Sequence, residues 1–297
     1  MGPMDDPGSA DDLDEIRWEF EPSLRRPVVV AAFEGWNDAG DAATHAAKWL
    51  RGRWDARRFA MIDPENFYDF TTARPHVELS EDGERMLHWV DTEISACSIE
   101  GNGTDAVFVV GVEPHLRWRT FCQQIVGLAK RYDAAMVITL GALLAEVPHT
   151  RPVIVYGSSD HEDFASDLRP SAYEGPTGIV GVLHGACQAA GLPSASLWAA
   201  VPTYLPGASS PKAALALIDR LTGLLDASVA TQSLASESEV YETHINSMVD
   251  EDEDTALYVR ELEDRYDADA EADDLIDADE ASSEQLVAEV ERFLREQ

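Results

Sequence analysis

The feature that most limits what this chain can become is Pro27-Val28-Val29-Val30-Ala31-Ala32-Phe33, a continuous apolar run with no polar alternation. A strand with one wet face alternates polar and apolar residues, so an unbroken run of this length reads as a strand buried on both faces. It passes directly into Glu34-Gly35-Trp36-Asn37-Asp38-Ala39-Gly40 and then an alanine-rich helix through about Leu50. The same grammar returns at Ala106 to Val112, followed by a helix from about Trp118 to Tyr132 and a strand at Ala135 to Leu140. Strand, helix, parallel strand is the unit of a sheet covered by helices on both sides.

The remaining segments predict a mixed sheet. Phe59 to Ile62 reads as a strand, and Val77 to Leu79 with Met86 to Ile94 as a hairpin around Ser80-Glu81-Asp82-Gly83-Glu84. Pro152 to Tyr156 and Ser196 to Val201 read as two more buried strands, flanking a helix from about Thr177 to Ala190 that stops at Gly191-Leu192-Pro193. Pro211 opens a helix with Leu215, Ile218, Leu221 and Leu225 on one face. The expectation is an α/β chain with a three-layer α/β/α core and a largely parallel sheet. Its parts are an acidic mobile tail at 1–25, the core at 26–228 and an acidic helical extension at 229–297. In the extension, apolar stripes at Tyr241 to Met248, Leu257 to Tyr266 and Val287 to Leu294 predict three helices, separated by acidic breaks at Asp250 to Asp254 and Asp267 to Glu280.

Charge excludes several functions. The formal net charge is -34, of which -6 falls in residues 1–25, -9 in 26–236 and -19 in 237–297. Nucleic acid and anionic lipid need clustered Lys and Arg, so neither is an expected partner. No apolar run approaches the roughly 18 to 20 residues that span a bilayer, and the acidic N-terminus is unlike a signal peptide, which predicts a cytoplasmic protein. Three scattered cysteines, Cys97, Cys122 and Cys187, read as buried free thiols. Of the seven tryptophans, Trp36 and Trp118 read as candidate interface anchors and the other five as core.

The chemical motifs are sparse. Gly35, Trp36, Asn37, Asp38 and Gly40 sit where a buried strand turns into a helix, the usual ligand position of an α/β sheet, and Gly175, Thr177 and Gly178 open a second helix whose N–H groups could hold an anion. Structural capping by Asn37, Asp38 or Asp41 is the competing reading. The first loop lacks both the three-glycine spacing of a dinucleotide site and the Gly-Lys-Ser/Thr of a P-loop. The histidines, His45 and His184 among them, form no metal motif, so no metal or cofactor is expected. Ser158-Ser159-Asp160-His161 places hydroxyl, carboxylate and imidazole side by side, which seldom makes a triad, and no catalytic residue is assigned. Asp267, Asp269 and Glu271 begin like a calcium loop, but Ala272 and Ala278 replace its glycine and its bidentate glutamate.

Three stretches carry a resemblance. Phe33-Glu34-Gly35-Trp36-Asn37-Asp38-Ala39-Gly40, Gly175-Pro176-Thr177-Gly178-Ile179-Val180-Gly181, and Ser196 to Tyr204 with Pro211-Lys212-Ala213 together resemble the proteasome assembly chaperone 2 family in its actinobacterial form. Tyr258-Val259-Arg260-Glu261-Leu262-Glu263 is similar to the extension of its bacterial members. The resemblance implies a phosphorylase-like α/β/α fold used for protein binding, self-association into a homo-oligomer, and proteasome subunits as partners. Members that assist assembly often dock through a C-terminal hydrophobic-Tyr-x tail, from which Phe293-Leu294-Arg295-Glu296-Gln297 departs. The alternative is a phosphorylase-like or hydrolase-like enzyme that binds a small ligand at the 35–41 and 175–178 loops.

Overall fold

The computed structural model describes residues 13–80, 82–99, 103–160, 169–170 and 173–271. They divide into two compact units, 13–145 with 153–241, and 146–152 with 242–271.

The first unit is built on an eight-stranded sheet. Its strands in chain order are β1 (Ile16–Trp18), β2 (Val28–Glu34), β3 (Arg57–Ile62), β6 (Thr92–Ser98), β7 (Asp105–Val112), β8 (Met136–Ala145), β9 (Val155–Ser159) and β10 (Ser194–Pro202). A separate ribbon is formed by β4 (His76–Leu79) and β5 (Arg85–His88). The sheet order is β1-β3-β6-β7-β2-β8-β10-β9. Its centre, β7-β2-β8-β10, is parallel, and antiparallel strands close both flanks. The expected mixed, mostly parallel α/β sheet is therefore what forms.

Two faces of β2 explain the layers. Val28, Val30 and Ala32 point into one cluster with the alanines of α1 (Ala42–Arg53) and with Leu217 and Leu221 of the Pro211–Leu224 helix. Val29, Ala31 and Phe33 point into the other, with Phe121, Ile125 and Cys122 of α2 (Trp118–Arg131) and Leu183 and Cys187 of α3 (Ile179–Ala189). Every second residue serves the opposite face, so a strand filled on both faces has no polar position to spare. Burial pushes the thiols of Cys122 and Cys187 up to about 12, while Cys97 is only half-buried. The Pro211–Leu224 helix, α4, begins with its proline in the first turn and the Ser210 side chain accepting from the Ala213 N–H at 3.2 Å. At the far end of α3, Leu192 N–H donates to Cys187 carbonyl at 3.0 Å around Gly191, the expected stop.

Several expectations are corrected. Residues 13–25 are not a loose tail: β1 pairs antiparallel with β3, Trp18 packs on Phe59, and Phe20 lies under the Arg57 guanidinium. Ile16, Trp18 and Phe20 alternate at period two, a signal hidden by the charged residues between and around them. Residues 1–12 lie outside the described residues. The stretch Met86 to Ile94 is two strands, because Thr92 onward joins the main sheet opposite Gly111 while Arg85–His88 stay in the ribbon. The segment expected at Pro152 to Tyr156 is displaced to Val155–Ser159 and is a half-buried antiparallel edge, not a buried strand. Trp18 and Trp89 are partly exposed instead of core. The Pro211 helix is followed by α5 (Gln232–Asp250), and its Leu234 is fully buried in the core cluster, past the expected core limit at 228.

The second unit joins the 146–152 loop to a helix, α6, over 253–271. Arg151 donates to both carboxylate oxygens of Asp267 at 2.8 Å and to Glu263 at 3.3 Å, and Arg265 pairs with Glu146 at 3.0 Å. The Arg151 guanidinium beside Asp267 holds that carboxyl below the usual range. A break was expected from Asp267 onward. The helix instead runs through it to 271, with the charge met by Arg151. The stripe at Val287 to Leu294 lies outside the described residues.

The ribbon leaves the sheet between β3 and β6. Ile62 at the end of β3 pairs with Thr92, and Thr92 pairs with Gly111 near the end of β7, so the ribbon emerges at the same end of the sheet as the loops after β2 and β7. All eight of its strand residues are exposed.

Candidate functional site

β7 and β8 follow one another in sequence yet flank β2, so the loops after β2 and β7 diverge at a topological switch point. That is where α/β sheets open a crevice. The strand run of β2 ends at Gly35, whose φ of 123° is open to glycine, and whose missing Cβ would stand 3.3 Å from the Glu113 Cβ. The chain then drops Asn37 and Asp38 into the interior. Asn37 is fully buried, and its carbonyl accepts from the Ala142 N–H of β8 at 2.7 Å.

Asp38 reaches forward to the start of α1. Its Oδ1 accepts from the N–H groups of Ala43 at 2.7 Å and Thr44 at 3.2 Å, and the Thr44 hydroxyl donates to its Oδ2 at 2.5 Å. These are the otherwise orphaned donors of a helix N-terminus. Burial raises the Asp38 carboxyl above its ordinary range, and the Thr44 and Ala43 donors pull it partly back. Gly40 stays beside them, its carbonyl accepting from Ser210 N–H at 2.8 Å, and Asp41 accepts from the Ser209 hydroxyl at 2.7 Å.

The residue that ties the loops together is Glu113, just past β7, which the motifs did not single out. Its Oε1 accepts from Asn37 Nδ2 at 2.6 Å and from the Ile179 N–H, the first of α3, at 2.8 Å. The helix N-terminus that could have held an external anion is thus occupied by a carboxylate of the chain itself. Gly178 completes the lock: a Cβ there would fall 2.2 Å from the Asn37 amide nitrogen. The clue lay in the sequence, since Glu113, like Glu34, ends a buried apolar strand.

The eight expected site residues therefore separate into two groups. Asn37, Asp38 and Gly178 are buried and lie together with partly buried Gly40 and exposed Gly35 at the turn. Trp36 is 62% exposed on its outside, and Gly175 and Thr177 are exposed on the approach to α3, where the Tyr173 hydroxyl donates to Pro176 carbonyl at 3.0 Å. Ser158 meets His184 at 3.5 Å, and burial lowers the His184 imidazole below its ordinary range. His161 lies outside the described residues. Among the described residues no group of three His, Cys, Asp or Glu is placed to hold a metal ion, and no helix is long and apolar enough to cross a membrane.

No curated protein matches the chain. Solved structures do. A PAC2 family protein from Streptomyces avermitilis is 44% identical, with 78% of this chain and 99% of that one covered and a TM-score of 0.74. A proteasome-assembly chaperone homologue from Mycobacterium tuberculosis is 43% identical, with 78% and 99% covered and a TM-score of 0.72. A second Mycobacterium tuberculosis protein, of unknown function, is 27% identical, with 88% and 91% covered and a TM-score of 0.79. The fold, the signature loop and the matched span agree: the model of the PAC2 family covers residues 32–249, and the chain belongs to that family.

Proposed function

We propose that this chain is a protein-binding module that assists assembly of a multisubunit complex of the proteasome type, acting in the cytoplasm as a homo-oligomer. The observation that carries the reading is the 43% identity to a proteasome-assembly chaperone homologue over 99% of that protein's length. The strand-end crevice supports it. Its polar groups, Asp38, Asn37 Nδ2 and Glu113, are turned inward to cap α1 and α3, and exposed large apolar side chains include Trp36 on its outside and several in the ribbon at the same end of the sheet. Such a surface suits association with other proteins.

The test is light scattering on a sizing column, for the chain alone and mixed with proteasome α-subunits from the same source. Co-elution of the chain with the α-subunits is the expected result. A chain that passes the column unchanged in their presence sinks the assembly role.

A further inference from the structure

We infer that Ser158 and His184 form a nucleophile and general base, in which Ser158 Oγ attacks the carbonyl carbon of a small neutral ester and His184 takes its proton. The inference stands apart from the protein-binding reading and needs no partner. Ser158 is exposed on the edge strand β9, opposite Ser196 of β10. Trp198, two residues from Ser196, packs into the cluster of α2 and α3, so Ser158 lies on the face that α3 covers. His184 and Gln188, four residues apart, share one face of α3. A single ring nitrogen, His184 Nε2, meets both the Ser158 hydroxyl at 3.5 Å and the Gln188 amino group at 3.3 Å. An amino group of an amide only donates, so Nε2 accepts, the ring proton sits on Nδ1, and the Ser158 O–H has a lone pair before it. That is the tautomer a general base needs. Packing alone does not account for the histidine: Nδ1 is buried and meets no acceptor among the described residues, a donor left unpaired at a cost in stability.

The surroundings choose the chemistry. Burial lowers the His184 imidazole from its ordinary 6.5, which favours the form that accepts a proton at neutral pH, and the Asp160 charge opposes that shift and so favours the imidazolium formed during attack. Asp160, just past β9, is fixed by its Oδ1 accepting from the Ser194 N–H at 2.7 Å. Exposed and negative, it repels an anionic substrate such as a phosphate ester, so the carbonyl of a neutral ester is the group that fits. Gly185 leaves open ground beside His184, since a Cβ there would meet nothing within 4 Å. In the step, Ser158 Oγ bonds to the carbonyl carbon as its proton passes to His184 Nε2, the second N–H of Gln188 donates to the oxyanion, and the alcohol leaves with the proton from His184. Water, deprotonated by His184, then releases the carboxylic acid and restores the Ser158 hydroxyl.

The experiment treats the full-length chain with a fluorophosphonate, whose phosphorus takes an activated serine Oγ as fluoride leaves, and finds the labelled peptide by mass spectrometry. Hydrolysis of p-nitrophenyl acetate is followed beside it. The expected result is a label on Ser158 and none there on Ser158→Ala, with labelling about 100-fold slower in His184→Gln. The labelling rate of the wild type rises with pH and levels off above a midpoint below 6.5. Gln188→Leu slows ester hydrolysis about tenfold through kcat, with KM unchanged. Ser159→Ala, whose hydroxyl lies on the other face of β9 and donates to the Ser194 carbonyl at 3.1 Å, keeps both the label and the ester rate. All four positions are exposed or half-buried, and near-ultraviolet circular dichroism confirms the fold of each variant. A chain that takes no label, a label found only on other residues, or a Ser158 label whose rate His184→Gln leaves unchanged overturns the proposal.

Discussion

The strand-end crevice and the β4–β5 ribbon leave the same end of the sheet, yet they dispose of their chemistry in opposite ways. In the crevice the polar residues are drawn inward, while Trp36 stays exposed: Asn37 and Asp38 are buried, Glu113 bridges two loops, and Gly178 leaves room for Asn37. In the ribbon all eight strand residues are exposed, with Val77, Leu79 and Leu87 on one face and Met86 on the other. The polar residues of the signature sequence thus hold the fold together, while the exposed ribbon carries no motif at all.

The contrast can be broken by substitution. Glu113→Ala should have the largest effect, because it strips the acceptor from Asn37 Nδ2 and Ile179 N–H at once and leaves two donors unpaired. A loss of about 3 kcal/mol in urea unfolding is expected, and a change within error would show that the bridge is ornamental. Gly178→Ala comes next, at about 2 kcal/mol, since its Cβ must displace a fully buried amide with nowhere to go.

Asp38 sharpens the comparison through pH. Its folded-state pKa is raised from 3.8, mainly by burial, so the folded chain binds that proton more tightly than the unfolded chain does. The resulting stability is fully present below about 3.8 and is lost as pH rises through the raised value. Relative to Asp38→Asn, the wild type should gain stability as pH falls from neutral into the acid range. A difference that is flat with pH, read by urea titration at each pH, would contradict the burial argument. The smallest effect belongs to the ribbon. Leu79→Ser should leave the stability of the dilute chain within about 0.5 kcal/mol, as at an exposed position free of buried partners.

What the sequence made legible follows the same division. β2 and β7 could be read because burial on both faces leaves an unbroken apolar run, α1 because it is rich in alanine, and α4 because Pro211 announces its first turn. Asn37, Asp38 and Gly178 were found from their place between strand and helix. Capping by Asp38 was readable too; the bridge that Asn37 makes was not, because Glu113 lies 76 residues from Asn37 and 66 from Ile179, and only the sheet order brings them together. β1 was missed because three apolar side chains among acids look like a tail until a strand edge is available to receive them. Trp89 was misplaced for the converse reason: a large aromatic suggests core, but its segment has only a two-stranded ribbon and Phe70, 4.7 Å away, to pack against.

The layer formed by α2 and α3 carries a consequence for handling the protein. Cys122 and Cys187 are buried in it and held protonated, each near 12, so in the folded chain they are closed to alkylating reagents, which attack the thiolate. Their rate of modification by iodoacetamide therefore clocks how often this layer separates from the sheet. Half-buried Cys97, on the far side, has its thiol raised only to about 11 and reports on the opposite layer in the same digest.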